Sequence, residues 1–209
     1  MWLVLAHAGD VGARAFTRRF PGATRLVEPA DVEAGGWTLT LSADGHTRTH
    51  PPVGGVLTRL ARIHPADLPY VHPADRPYAA AELDAFLLAW LDACPAPVLN
   101  RPRPGCLNGP GWSPLRWVAQ AHAVGLRTQS ALRPGSVRVT VVGGRVVGAP
   151  IADDLRDGAL RLAASAATPL LTVVFEGAVA GSRFVAADPC ADLVDALAVE
   201  LSRQSGWAA

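Results

Sequence analysis

LLTVVFEGAVAGSRFVAADPC, residues 170–190, holds two apolar stretches, Leu170 to Glu176 and Arg183 to Ala187, on either side of a small-residue turn. The pattern reads as two strands closing on each other, the second running into Asp188 and Pro189, with Asp192 just beyond. A strand that delivers carboxylates to a cleft is one way to hold magnesium, because the hard cation takes oxygen ligands from a rigid support. This strand delivers few of them. Its meaning depends on what precedes it.

Upstream, SVRVTVVGGRVVGA (136–149) reads as a hairpin turning at Gly143-Gly144, where glycine accepts the positive φ of a tight turn. Its valines, at 137, 139, 141, 146 and 147, are expected on both faces of the pair. Asp154 to Ala167 has helical spacing, and Ala191 to Ser205 is expected to form a last helix, with Asp188 and Pro189 at its start. Before the hairpin, a helix over Leu115 to Val124 stops at Gly125, as a left-handed cap requires. Residues 101–114, RPRPGCLNGPGWSP, form a proline- and glycine-rich loop.

The front of the chain alternates strand and helix. MWLVLAH is a buried-strand pattern, GDVGARAFTRRF has the apolar spacing of a helix, and ATRLVEP is a second strand. WTLTLSADGHTRT (37–49) alternates around Asp44-Gly45 as a hairpin does, VGGVLTRL is a further strand, and Tyr78 to Ala93 forms an amphipathic helix that leads into the strand Ala-Pro-Val-Leu-Asn. The fold class is therefore α/β in front and α+β behind.

Composition narrows the function. The 209 residues carry 19 basic and 18 acidic side chains, a net charge of +1, so no field over the surface calls for nucleic acid or an anionic membrane. No apolar run reaches the roughly 18 residues that suggest a membrane span, and MWLVLAHAGD lacks the basic region of a signal peptide, so a cytoplasmic location is expected. All 19 basic residues are arginine, which rules out any Schiff base or phosphate cradle built on lysine. Cys94, Cys106 and Cys190 have no paired spacing and read as idle thiols. His46 and His50, in a strand-and-turn stretch, do not converge on a metal. No serine sits in a G-x-S-x-G elbow. Trp90 and Trp117 read as core, and Trp112 as a loop aromatic packed locally.

Taken in order, these segments resemble the ATP-grasp ligases, in particular the branch that modifies peptides and ribosomal proteins. The strand-helix-strand opening, VGGVLTRL, the helix leading into PVLNRP, and WVAQAHAVGLRT look like that family's front domain and link. The resemblance implies a front domain of pre-ATP-grasp type over 1–100, a linking region over 101–135, and a reduced ATP-grasp C-terminal-like domain over 136–209. It makes Arg138, in the hairpin, the phosphate-contacting arginine. Where the family carries a central nucleotide-clamping subdomain, seven residues stand here, QSALRPG (129–135). By the same resemblance the family's first acidic metal ligand falls among Thr172, Val173 and Val174, its glutamate at Ala186 and its asparagine at Asp188. Only Asp188 keeps an oxygen ligand there.

The resulting expectation is a catalytically inactive ATP-grasp-like protein, with no catalytic residue, no bound metal and no cofactor, keeping Arg138 and Asp188 as remnants of a nucleotide site. It would act as a binding or accessory protein for a peptide, a protein or a related ligase, and would form a homodimer through the hairpin. An alternative is a minimal ATP-dependent carboxylate-amine ligase or nucleotide-binding protein that completes its site across an oligomer. A further alternative is dinucleotide binding through HAGDVG (7–12), which follows a strand, opens a helix and has Glu28 closing the next strand. Against it, His7 replaces the first glycine of that fingerprint and is expected to crowd the turn.

Overall fold

The computed structural model describes residues 1–41, 43, 47–128 and 135–189. The Asp44-Gly45 turn, His46, most of QSALRPG, Cys190 and the expected helix from Ala191 lie outside those residues. The chain forms two compact units, Met1–Gly111 and Trp112–Ala209.

The front unit is built on a parallel sheet. β1 (Trp2–Leu5), β2 (Thr24–Val27), β5 (Gly55–Thr58) and β6 (Val98–Leu99) lie in the order β2-β1-β5-β6, every pairing parallel. Every residue of β1, β5 and β6 is buried, as expected of strands covered on both faces. α1 (Val11–Arg19) joins β1 to β2, and the hairpin of β3 (Thr38–Leu41) and β4 (Thr47–His50) comes before β5. α3 (Arg76–Ala93) begins two residues ahead of its apolar pattern, with a proline in its first turn, and buries Leu87, Trp90 and Leu91 against Leu3, Leu5 and Val56. Trp37 packs on Trp90 in a tilted contact, ring centroids 4.6 Å apart. Two short elements were not expected from periodicity: α2 (Pro29–Ala34), started by a capping box between Glu28 and Asp31, and a 3-10 turn over Pro65–Asp67. Cys94 and Cys106 are buried free thiols.

In the back unit, α4 (Pro114–Ala123) starts at Ser113, whose hydroxyl accepts the Arg116 N–H. It ends in a Schellman turn: Gly125, at φ 86°, donates to His122 O, and Leu126 donates to Ala121 O. β7 (Val137–Val142), β8 (Arg145–Gly148), β9 (Leu170–Phe175) and β10 (Phe184–Asp188) form an antiparallel sheet in the order β10-β9-β7-β8. The β7-β8 turn has positive φ at both Gly143 and Gly144, which only glycine adopts without cost. α5 (Asp153–Ser165) packs Leu155, Ala159 and Leu162 on Val139, Val141, Leu171, Val173, Phe175 and Phe184. Val139 and Val141 are each 1% exposed, so these two valines are core and form no part of a dimer surface on the hairpin. Positions 137, 139 and 141 share one parity and so one face, and that face is the core. Trp112 packs on Trp117 at 4.7 Å, with the Arg116 guanidinium over its ring. No helix among the described residues is long and apolar enough to cross a membrane.

Candidate functional site

The second face of the back sheet carries the positions singled out in the sequence. Across β7, β9 and β10, Arg138, Val174 and Ala186 form one row, and Thr140, Thr172 and Asp188 form the next. Residues paired directly across strands point to the same side, so Arg138, Thr172, Ala186 and Asp188 share this face, opposite the one packed on α5. Ideal spacing of two strands across and one row along sets the Arg138 and Asp188 Cα atoms about 12 Å apart. Both side chains are exposed, and that of Arg138 makes no hydrogen bond or ion pair with a described residue. Between them, the Thr140 and Thr172 hydroxyls meet at 3.0 Å, both residues buried. Asp188 is the only acidic residue in the four strands.

The front unit gathers its polar residues at the carboxyl ends of β1 and β5. The chain leaves β1 toward β2 on one side and returns to β5 on the other, so this is where the strand order switches. Asp10 caps α1 by accepting the Ala13 N–H at 2.8 Å, and its second oxygen accepts Arg59 Nε at 2.7 Å. Burial by itself would raise the Asp10 carboxyl. The Arg59 guanidinium and the Ala13 and Gly12 N–H groups outweigh it and hold the group below the ordinary carboxylate value. His7 does not crowd the turn: its Nδ1 lies 2.9 Å from Asp67 Oδ1, and its ring stacks on His64 at 5.4 Å. Glu28, the acid that would meet a ribose, is engaged by Arg14 and by the capping box with Asp31. The helix N-terminus that would receive a pyrophosphate is thus occupied by the chain's own Asp10.

Among the described residues no group of three or more His, Cys, Asp or Glu side chains is placed to hold a metal ion. Sequence reasoning did not anticipate the Asp10–Arg59, His7–Asp67 and Thr140–Thr172 pairs. Their partners lie 49, 60 and 32 residues apart, beyond any local pattern.

No protein-family model and no curated protein matches this chain. Solved structures do. The ATP-grasp ligase PsnB, complexed with a phosphomimetic variant of minimal precursor, Mg and ADP, is similar over 98% of this chain and 97% of its own, at a TM-score of 0.70 and 13% identity. The chain has the ATP-grasp fold. The macrocyclase MdnB from Microcystis aeruginosa MRC matches this ATP-grasp scaffold over 97% of this chain and 96% of its own, at 0.58 and 16%. A Chryseobacterium gregarium RiPP-associated ATP-grasp ligase, in complex with ADP and a leader and core peptide, matches over 92% and 90%, at 0.57 and 9%. The parallel front sheet and antiparallel back sheet are the α/β arrangement expected from the sequence.

Proposed function

We propose that the protein is a catalytically inactive ATP-grasp-like protein that works by binding, as an accessory to a peptide, a protein or a related ligase. The observation that carries this reading is the composition of the back-sheet face. Where the resemblance sets a metal-ligand triad, neither Ala186 nor any of Thr172, Val173 and Val174 offers a charge, and Asp188 is the one carboxylate. Magnesium bridging ATP phosphates draws on one or two protein carboxylates together with the phosphates themselves. Asp188 is the minimum of that range, and with no lysine in the sequence the phosphate charge falls to Arg138. Phosphoryl and acyl-phosphate chemistry is mainly positioning and charge neutralisation, and this face supplies little of either.

The absence of a clamping subdomain is argued from the seven residues at 129–135. A peptide is the partner class we favour, because PsnB is solved with the precursor peptide PsnA2 and the Chryseobacterium gregarium ligase with a leader and core peptide. The proposal includes a cytoplasmic location, which the free thiols Cys94 and Cys106 suit, and a homodimer. The dimer surface is not Val139 or Val141, which belong to the core. The second reading, a ligase that completes its site across an oligomer, has one observation in its favour: Arg138 and Asp188 share a sheet face at a spacing that a phosphate group and its ion can bridge.

Calorimetry with Mg-ATP at neutral pH separates the two. A dissociation constant weaker than about 1 mM, roughly 4 kcal/mol of binding free energy, is expected. Micromolar affinity that falls with Arg138→Ala and Asp188→Asn overturns the inactive reading in favour of the ligase. Dinucleotide binding is tested by a thermal-shift titration with NAD, where no shift is expected. Light scattering tests the dimer, and a mass near 21.8 kDa at micromolar concentration refutes it.

A further inference from the structure

The back sheet treats its two edges differently. β10 is paired in part on its outer side: the Phe184 N–H donates to Arg127 O at 2.6 Å, and Thr128 bridges Phe184 in parallel. β8, the other edge, has no such neighbour among the described residues. Its two-residue turn, with positive φ at Gly143 and Gly144, makes Val142 and Arg145 a hydrogen-bonded pair, and along an antiparallel ladder such pairs alternate with pairs whose polar groups point away from each other. Val146 therefore turns its N–H and C=O to the open side, and Gly148 its N–H. Neither residue makes a hydrogen bond beyond the β7-β8 ladder among the described residues.

Every open sheet has edges, and a charged residue such as Arg145 or a proline such as Pro150 is what keeps an edge from pairing at random. A bare edge is therefore no site by itself. This one runs beside a cavity of about 470 Å³ between the hairpin turn and the flank of α5, lined by Val141, Gly144, Leu160, Ala163, Ala164 and Pro169 among others. The one hydroxyl in the lining, of Thr168, already donates to Ala166 O. The cavity lies on the α5 side of the sheet, the side shared by Val141 and its cross-strand partner Val146. Arg145 stands on the opposite side, exposed, its guanidinium making no hydrogen bond or ion pair with a described residue. A strand added at β8 alternates its side chains between these two sides. Its residue opposite Val146 faces the apolar cavity, and the next, opposite Arg145, faces the guanidinium.

We propose that β8 receives an extended peptide as a fifth strand of this sheet, one that carries an acidic residue next to an apolar residue, matched to Arg145 and to the cavity. In this mode main-chain hydrogen bonds give affinity and alternate side chains give selectivity. The proposal rests on the peptide-binding reading above and gives it a surface. The test is an NMR titration of the isotope-labelled full chain with an end-blocked pentapeptide, Thr-Glu-Leu-Glu-Thr. The Val146 and Gly148 amides should shift and gain protection from exchange, with a dissociation constant on the order of 1 mM or tighter. N-methylation of the peptide's leucine removes the donor that meets Val146 O and should weaken binding tenfold or more, as should Ala164→Asp at the exposed wall of the cavity. Arg145→Glu should weaken it similarly and bind Thr-Lys-Leu-Lys-Thr in its place, an exchange that a misfolded variant does not show. The proposal is overturned if Val146 and Gly148 do not respond at about 10 mM peptide, if the N-methylated peptide binds equally well, or if Arg145→Glu binds as the native chain does. A response confined to other amides overturns this surface while the accessory reading stands. A doubled mass by light scattering, with Val146 and Gly148 protected before peptide is added, gives the edge to a second copy and overturns the proposal as well.

Discussion

The two sheets of this protein place their polar groups in different ways. In the front unit β1, β5 and β6 are buried throughout, and charged residues collect where the strands end, already paired: Asp10 with Arg59, His7 with Asp67, Arg14 with Glu28. In the back unit, polar residues stand within the strands themselves, Arg138 and Thr140 on β7, Thr172 on β9 and Asp188 on β10, all on one face. A parallel sheet covered on both sides leaves only its ends for chemistry, whereas an antiparallel sheet can give a whole face to it. The difference separates charges paired at the ends of buried strands from polar groups carried on the face of a sheet.

Three changes would break or sharpen that contrast. The largest effect is expected at Arg59→Ala. It leaves the Asp10 carboxylate without its cation in a pair whose side chains are only 11% and 16% exposed. Removing one partner of a buried pair costs about 3 kcal/mol or more, measured as a drop in the urea midpoint; a loss under about 1 kcal/mol would show that the front network contributes little. The back sheet should respond less. Thr172→Val strands the buried Thr140 hydroxyl and is expected to cost about 1–2 kcal/mol, while adding Thr140→Val restores most of it, because replacing both partners removes the unmet group. A double variant no more stable than the single would mean that the pair is not the cause.

The smallest change is a pH dependence. The Asp10 carboxyl is lower in the folded than in the unfolded chain, so its contribution is fully present above the unfolded value of about 3.9 and is lost as pH falls below that toward the native value. Melting temperatures from pH 5 downward should therefore fall less steeply in Asp10→Asn than in the native protein. Parallel slopes would show that other carboxylates set the acid limb.

Much of the fold was legible in the sequence, for identifiable reasons. Gly143-Gly144 announced its turn and Gly125 its helix stop, because each position needs a backbone conformation that other residues avoid. Trp90 and Trp117 were readable as core from their helical spacing. α2 was not, since six residues are too few to display a period and its start depends on a proline and a capping box. The hairpin valines do fall on both faces, Val147 beside Thr140 and Val146 beside Val141, but Val139 and Val141 belong to the core and not to an outer surface.

The candidate sites were legible in part. The resemblance pointed to Arg138 and Asp188, and the sheet order then brought them to one face. Nothing local in HAGDVG revealed that Asp10 would meet Arg59, or that His7 would turn to Asp67.

By itself, then, the sequence determined what depends on neighbours along the chain: alternation, helical period, turn glycines, caps, and the absence of lysine from every possible site. Tertiary structure alone decided which side chains meet. Partners separated by 32 to 60 residues are chosen by strand order and register, which bring distant segments within a few ångströms and leave no periodic trace in the chain.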